Sequence, residues 1–209
     1  MRTVTWYFDF ISPYSYFGLH TLTRLPGDAA VRYQPVLFAG LLNHWGQKGP
    51  AEVPPKRIWT HRSCIWWAKQ NNVPFRFPSA HPFVSLPYLR LSIAAGNSAA
   101  AIQMIFKALW TTGSNPADPG VFAALAASLG VSPDRIADAD VKHSLRDETA
   151  KAVQRGVFGV PSFGIDEHVF WGNDAVDFAA AYLGDPGILA TEEIKRADTL
   201  PVGVSRPLT

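Results

Sequence analysis

The stretch TVTWYFDFISPYSYFG, residues 3–18, leads from a strand pattern directly into a helix start. Trp6 and Phe8 alternate with less apolar neighbours, and this period of two predicts a β-strand. Ser12 stands where a helix N-cap is expected, and Pro13 suits the first position of a helix. The stretch therefore predicts a strand that turns at a serine into an α-helix.

The chain continues with a second strand and a long helical block. Residues 31–37 have strand character, and Pro35 among them is typical of a strand end or of an edge strand. From about residue 52 to residue 156 the apolar side chains recur at helical spacing, with prolines at helix starts and glycines after helix ends. The chain is therefore predicted to open as β-α-β and to continue as helices.

The last part of the chain returns to strands before a final helix. Two short apolar runs flank Asp166-Glu167 and predict a β-hairpin. The segment after the hairpin predicts a helix capped by Asn173 or Asp174. A β-α-β unit, a helical insertion and a β-β-α unit together predict an α/β fold in which helices surround a small mixed sheet.

Composition narrows the class of partner. The chain of 209 residues has 19 Lys plus Arg against 17 Asp plus Glu, so its formal net charge is only +2. This balance does not favour nucleic acid or an acidic membrane surface, and it favours a small substrate. The chain shows no signal-peptide pattern and no apolar run of about 18 to 20 residues. We therefore expect a soluble cytoplasmic protein with neither a nucleic-acid nor a membrane partner.

Sulfur and metal chemistry have little support in the chain itself. Cys64 is the only cysteine, which excludes an intrachain disulfide, a CxxC redox pair and a cysteine-rich zinc site. It falls on a predicted helix, where we expect it to be a small buried apolar residue. The six histidines form no HExxH motif and no close cluster with carboxylates, so we expect no metal site.

Ser12 is the first candidate for a functional residue. The first backbone N–H groups of a helix are unpaired and carry a partial positive charge, so a serine at this point can help to bind an anion. One interpretation is that Ser12 only caps the helix. A nucleophilic serine is disfavoured, because the chain has no GxSxG motif and no evident triad partner. The other hypothesis is a hydrogen bond from Ser12 to an anionic ligand atom such as a thiolate.

Four motifs, in this order, resemble those of one family. The segments FDFISPYSYFG, PAEVPPK, FGVPSF and FWGND are similar to those of the 2-hydroxychromene-2-carboxylate isomerases, which are related to the kappa-class glutathione transferases. The resemblance spans nearly the whole chain and implies a thioredoxin-like fold interrupted by an all-helical insertion domain. The implied domains are residues 1–40 and 157–185 for the two thioredoxin-like parts, residues 41–156 for the helical insertion and residues 186–209 for a C-terminal tail.

The resemblance also implies a glutathione site. Ser12 and Ser15 occupy the positions where redox relatives carry the cysteines of a CxxC motif, so disulfide exchange is not possible and the thiol of glutathione replaces that of the protein. Ser12 is implied to be the catalytic residue that donates a hydrogen bond to the glutathione sulfur. Pro161 is implied to follow a cis peptide bond and to leave the Val160 backbone free to pair with glutathione, and Asp174 is implied to bind its γ-glutamyl ammonium group. The complete implied set of glutathione-binding residues is Ser12, Pro13, Tyr14, Gln47, Lys56, Val160, Pro161, Trp171, Gly172, Asn173 and Asp174.

On the substrate side, the resemblance implies contacts from His81 and Lys56. Lys56 is implied to reach a carboxylate of glutathione or of the acidic substrate. Gln47 departs from the family pattern, because relatives commonly carry Asn there. Several tryptophans are candidates for an aromatic wall around a bicyclic substrate, although core positions explain most of them: Trp45, Trp59, Trp66 and Trp67.

The implied function is a glutathione-dependent isomerase of naphthalene-type aromatic degradation. It would act on a small aromatic 2-oxo acid by reversible addition of the glutathione thiolate, and it would be a homodimer. A kappa-like glutathione transferase or peroxidase is an alternative that would use the same glutathione site and consume glutathione. A third hypothesis is a non-catalytic thioredoxin-like binding module.

Overall fold

Residues 2–204 are described by the computed structural model, and their strands form one mixed sheet. The strands are β1 (Thr3–Phe8), β2 (Ala30–Pro35), β3 (Ser162–Ile165) and β4 (His168–Trp171). In the order β2-β1-β3-β4, β1 runs parallel to β2 and antiparallel to β3, and β3 runs antiparallel to β4. Pro35 is the last residue of an edge strand, so its predicted position is confirmed.

Both faces of β1 are buried. Val4, Trp6 and Phe8 on one face have no exposed surface, and Tyr7 on the other face is only 5% exposed. The first face belongs to the main hydrophobic core, whereas Tyr7 belongs to a smaller apolar cluster that includes Val160. The strand therefore has helices or loops packed against both faces, as the central strand of a layered α/β fold requires.

The helices of residues 2–204 confirm the predicted helical block between β2 and β3. Because α2 begins soon after β2, the block starts earlier than the helical pattern near residue 52 indicated. The helices are α1 (Pro13–Thr21), α2 (Phe38–Trp45), α3 (Pro54–Gln70), α4 (Leu86–Ala94), α5 (Ala99–Thr111), α6 (Pro119–Ser128), α7 (Ala139–Gln154), α8 (Val176–Gly184) and α9 (Glu192–Asp198).

One predicted domain boundary falls within a helix, and the predicted tail contains another helix. α2 spans the predicted boundary between residues 40 and 41. The predicted C-terminal tail contains α9, and its residues 205–209 lie outside the described residues. The boundaries themselves stay a prediction. Among the described helices, none combines the length and the apolar character that a membrane crossing needs.

The start of the last helix differs from its prediction. α8 begins only at Val176, after a single 3-10 turn over Asn173–Ala175, and no side chain accepts a hydrogen bond from the first N–H groups of either. The prediction that Asn173 or Asp174 caps this helix was therefore wrong. The Asn173 side-chain amide instead donates a hydrogen bond to the Tyr14 carbonyl oxygen at 2.8 Å. Gly172 enters the turn with φ +97°, a conformation that favours glycine.

Candidate active site

A cavity of about 590 Å³ opens where β1 ends. Its walls come from the turn between β1 and α1, the first half of α2, the loop over residues 47–52, the first half of α3, residues 81–86 and residues 158–160. Most of this surface is apolar, with a few polar groups among the lining side chains. A concave, mostly apolar site with few polar groups is typical of small-molecule binding.

Ser12 forms part of the cavity wall and is buried, with 7% of its surface exposed. It is the N-cap of α1, and its Oγ accepts a hydrogen bond from the Ser15 N–H at 3.2 Å, so the predicted cap is confirmed. No acceptor among residues 2–204 takes the Ser12 hydroxyl hydrogen. That hydrogen is therefore available to a ligand, at the positive end of a helix.

Asp9 holds the turn that carries Ser12. Its carboxylate is buried and accepts hydrogen bonds from the Ile11 N–H at 3.1 Å and from the Phe38 N–H at 2.8 Å. These two bonds tie the turn after β1 to the first residue of α2. Burial raises the pKa of Asp9 to about 6, although the backbone N–H of Phe38 and the hydroxyl of Ser85 act in the opposite direction.

This buried acid predicts a pH dependence of stability. The native carboxyl keeps its proton up to about pH 6, whereas an unfolded Asp releases it near 3.8, so the free energy of unfolding falls as the pH rises through this window. At 1.36 kcal/mol per pKa unit, wild-type protein should lose about 3 kcal/mol relative to Asp9→Asn between about pH 3 and pH 7. Urea unfolding of both proteins across this range measures the difference. Parallel pH curves would contradict the prediction.

His81 lies in the cavity wall with both ring nitrogens engaged. Its Nε2 is 3.0 Å from the carbonyl oxygen of Ile11, and its Nδ1 is 3.1 Å from Nε2 of His61. Burial lowers the pKa of His81 to about 4, so the ring is neutral near pH 7. A ring with both nitrogens occupied has no polar atom left for a substrate, and His81 can contact one only through its carbon atoms.

The structure brings most of the predicted site residues together. The predicted residues that do not line the cavity are Lys56, Pro161, Gly172, Asn173 and Asp174. Lys56 is exposed on the first turn of α3, and the adjacent Arg57 is the α3 cation that lines the cavity. The Val160–Pro161 peptide is cis, as predicted, and Gly172, Asn173 and Asp174 follow the lining residue Trp171 in the chain. The predicted residues that line the cavity are Ser12, Pro13, Tyr14, Gln47, His81, Val160 and Trp171. Their roles stay predictions.

Val160 offers an unpaired peptide group to the cavity. It is 7% exposed, and neither its N–H nor its carbonyl oxygen has a hydrogen-bond partner in the part of the chain that the structure describes. Buried backbone groups in native proteins are almost always paired, so a ligand or a water molecule in the cavity is the available partner for this one. An extended peptide-like ligand such as glutathione fits that requirement.

The proposed tryptophan wall is not at the cavity. Trp45, Trp59, Trp66 and Trp67 are not among the residues that line it. Trp59 and Trp66 are exposed on α3, whereas Trp45 donates a hydrogen bond to the Val157 carbonyl oxygen at 3.0 Å. The aromatic side chains in the cavity wall are instead those of Tyr14, Phe38, Phe83, Phe158 and Trp171.

Sequence patterns did not predict a role for several residues of the cavity wall. Asp9, Lys48, Arg57 and His61 line the cavity and had no predicted role. Arg57 and His61 lie four residues apart on a predicted helix, a spacing that places side chains on one face, so helical periodicity was an available signal for this pair. Within residues 2–204, no group of three or more His, Cys, Asp or Glu is placed to hold a metal ion.

Comparisons with known proteins agree on the fold and the family. The model of the DSBA-like thioredoxin domain family matches residues 3–184. A 2-hydroxychromene-2-carboxylate isomerase of Sphingobium xenophagum is 30% identical over 194 residues, covering 88% of this chain and 99% of that protein. A glutathione S-transferase kappa 2 of Caenorhabditis elegans is 27% identical over 209 residues, covering 88% of this chain and 93% of that protein.

Comparison with solved structures supports the same fold. A solved structure of a 2-hydroxychromene-2-carboxylate isomerase superposes with a TM-score of 0.75 at 24% identity, covering 95% of this chain and all of that one. The predicted thioredoxin-like α/β fold with a helical insertion is thereby confirmed. The chain belongs to the DSBA-like thioredoxin domain family and, within it, to the 2-hydroxychromene-2-carboxylate isomerases, with kappa-class glutathione transferases among its relatives.

Proposed function

We propose that the protein is a glutathione-dependent isomerase that interconverts 2-hydroxychromene-2-carboxylate and trans-o-hydroxybenzylidenepyruvate, or a related aromatic 2-oxo acid of aromatic degradation. The observation that carries the proposal is the buried Ser12 hydroxyl, whose hydrogen is free at the N-terminus of α1 inside a mostly apolar cavity. Both the free hydroxyl hydrogen and the positive end of the helix stabilise an anionic sulfur. Bound glutathione would supply that sulfur as a thiolate, which adds reversibly to the conjugated double bond of the substrate.

The protein itself has no thiol for this chemistry. Cys64 lies on the inner face of α3 without exposed surface, and burial raises the pKa of its thiol to about 12. Ser12 and Ser15 stand in the two positions of the redox motif and cannot form a disulfide. An external thiol would therefore supply the sulfur, and Ser12 would orient and stabilise it.

Three parts of the chain would hold glutathione. The unpaired backbone of Val160 would pair with its cysteinyl part, and Ser12 would donate to its sulfur. Asp174, which is exposed in the turn before α8, would bind its γ-glutamyl ammonium group. The side chain of Asn173 anchors this turn to the Tyr14 carbonyl, so the turn and the start of α1 keep a defined separation.

The role of Asp174 is testable by a single substitution. Asp174→Asn should weaken glutathione binding up to about 5-fold, because a solvent-exposed charge pair contributes at most about 1 kcal/mol. Asp177→Asn is the matched control, since Asp177 lies one turn further along and pairs with Arg24 instead. Calorimetric titration with glutathione measures both affinities. Equal affinities of the two variants would rule out the assigned contact.

A kappa-like transferase or peroxidase is the second candidate, favoured by the 27% identity with the kappa-class relative. Both candidates share the glutathione site and differ in the fate of glutathione. Incubation with glutathione and 2-hydroxychromene-2-carboxylate separates them: the isomerase interconverts the two acids with no loss of glutathione. Stoichiometric consumption would establish the transferase, and the absence of any turnover would leave the thioredoxin-like binding module.

We propose that the protein is a homodimer and that α3 forms its interface. Ile58, Trp59, Ile65 and Trp66 are 51%, 70%, 57% and 62% exposed and recur after two helical turns. Trp59 and Trp66 alone expose roughly 200 to 330 Å² on the scale of about 150–250 Å² per aromatic side chain. That is roughly a quarter to two fifths of the about 800 Å² that each partner buries in a standard interface. Sedimentation equilibrium of wild type and Trp66→Glu tests this, and a wild-type monomer would contradict it.

A cytoplasmic location and the absence of a membrane partner stay predictions from the sequence.

A further inference from the structure

Arg57 and His61 occupy neighbouring positions on the face of α3 that lines the cavity. Their separation of four residues places their Cβ atoms about 6 Å apart on one side of a helix. Arg57 has no carboxylate within ion-pair distance among residues 2–204, so its charge is available to a ligand. The pair therefore offers an anion-binding group next to a proton-exchanging group.

The hydrogen bonds of His81 define the proton positions on His61. The carbonyl oxygen of Ile11 can only accept, so Nε2 of His81 must carry a hydrogen. His81 is neutral near pH 7, which leaves its Nδ1 as an acceptor, and Nε2 of His61 must donate to it across 3.1 Å. His61 can therefore gain or lose a proton at Nδ1 without breaking this hydrogen bond. His81 is a positioning residue, and His61 is the member of the pair that is free to exchange a proton.

We propose that Arg57 binds the carboxylate of the substrate and that His61 is the general base and acid for opening and closing its hemiketal ring. The inference deepens the proposed function and rests on it. In 2-hydroxychromene-2-carboxylate, the carboxylate and the hydroxyl group share one carbon atom. A carboxylate held by Arg57 therefore brings that hydroxyl within about one helical turn, where His61 stands.

The proton transfer conserves atoms and charge. Nδ1 of His61 accepts the hydroxyl proton while the electron pair of that O–H bond forms the keto carbonyl. The bond between the same carbon and the ring oxygen breaks, and the ring oxygen leaves as a phenolate. Nδ1 then returns the proton to the phenolate oxygen, so His61 is regenerated and no oxidant or reductant takes part. The glutathione thiolate held by Ser12 would then add to the double bond of the ring-opened form.

The surroundings of His61 favour its neutral form before substrate binds. Burial lowers the pKa of His61, and the positive charge of Arg57 lowers it further. The remaining titratable groups in the cavity wall are those of Asp9, Tyr14, Lys48 and Glu52, in addition to His81. A substrate carboxylate on Arg57 would offset the charge that depresses the His61 pKa, so the base would become a better proton acceptor once substrate is bound.

His61→Gln and Arg57→Gln test the two roles, with His143→Gln and Arg146→Gln as controls on the exposed surface of α7. In His61→Gln, glutathione affinity should stay within about twofold, and kcat should fall by about 100-fold or more, the size of a general acid–base contribution. The contribution of His61 to the acidic limb of the kcat/KM profile should be lost as well, which leaves the ionisation of the bound glutathione thiol to shape that limb. Arg57→Gln should raise KM for the acidic substrate about 10-fold. Nitrogen-15 NMR of the free protein should show His61 titrating at Nδ1, at higher pH in Arg57→Gln.

The possible results distinguish a failure of the His61 role from a failure of the proposed isomerase function. Wild type that interconverts the acids, together with a His61→Gln variant of near wild-type kcat and unchanged pH profile, would overturn the role of His61 alone. Wild type that binds glutathione but does not interconvert the acids would overturn the isomerase function, and this inference with it. If NMR shows that neutral His61 carries its hydrogen on Nδ1 and not on Nε2 at pH 7, the proposed proton positions are wrong whatever the activity.

Discussion

Ser12→Ala should lower kcat by about 100- to 1,000-fold, the loss typical of removing one preorganised donor to a developing or stabilised anion. The variant loses the only side-chain hydroxyl at the N-cap of α1, and the apparent pKa of bound glutathione should rise. It also loses the hydrogen bond from the Ser15 N–H, which costs about 1 kcal/mol of stability. Steady-state kinetics and urea unfolding measure the two effects separately.

Ser15→Ala is the matched control for Ser12→Ala. Ser15 lies three residues further along α1, is fully buried, and its Oγ has no hydrogen-bond partner in the described chain. Removing an unpaired buried hydroxyl should be neutral or slightly stabilising, and the Ser15 N–H can still bond to Ser12. Kinetics of Ser12→Ala that match those of Ser15→Ala would show that Ser12 only caps the helix.

Trp110→Ala should destabilise the protein by about 3 to 5 kcal/mol, as large-to-small substitutions of buried aromatic residues do. Trp110 on α5 has no exposed surface, and its Nε1 donates a hydrogen bond to the Phe10 carbonyl oxygen at 3.0 Å. Its ring stacks on the ring of Phe75, with 5.7 Å between the ring centroids, and its centroid lies 5.5 Å from that of the His81 ring. The substitution removes the packing that joins the helical block to the turn after β1, and it leaves a buried carbonyl unpaired.

Two further variants make the Trp110 result specific. Trp110→Phe keeps a ring but loses the donor to Phe10, so it should cost less than the alanine variant. Phe178→Ala removes an aromatic side chain that is 45% exposed. It should lower the free energy of unfolding clearly less than Trp110→Ala does, because the deleted side chain buries less apolar surface. Equilibrium unfolding in urea compares all three with wild type. A loss below about 1 kcal/mol for Trp110→Ala would contradict the packing account.

The regular elements near the sheet followed from local patterns. The alternation around Trp6 predicted β1, the Asp166-Glu167 turn predicted the hairpin, and Pro35 indicated an edge strand, because each depends on residues close in the chain. The start of α8 did not follow, since Asn173 suits both an N-cap and a 3-10 turn. Only the contact with Tyr14, which is 159 residues away in the chain, distinguishes the two.

The site was less accessible to sequence reasoning than the fold. The resemblance led to Ser12 and to the cis peptide before Pro161, yet the choice between Lys56 and Arg57 depends on helix phase. Adjacent helical residues point about 100° apart, so only the packing of α3 decides which of the two cations faces the cavity. The contact between His61 and His81 joins two parts of the chain that no local pattern connects.

The most direct test of the central claim is the ultraviolet absorption of the glutathione thiolate, measured as glutathione is titrated into wild-type protein and into Ser12→Ala at several pH values. We predict that wild type lowers the pKa of bound glutathione below that of free glutathione, and that Ser12→Ala binds glutathione but loses most of this shift. Failure of wild type to bind glutathione, or binding with the thiol pKa of free glutathione, would contradict the account.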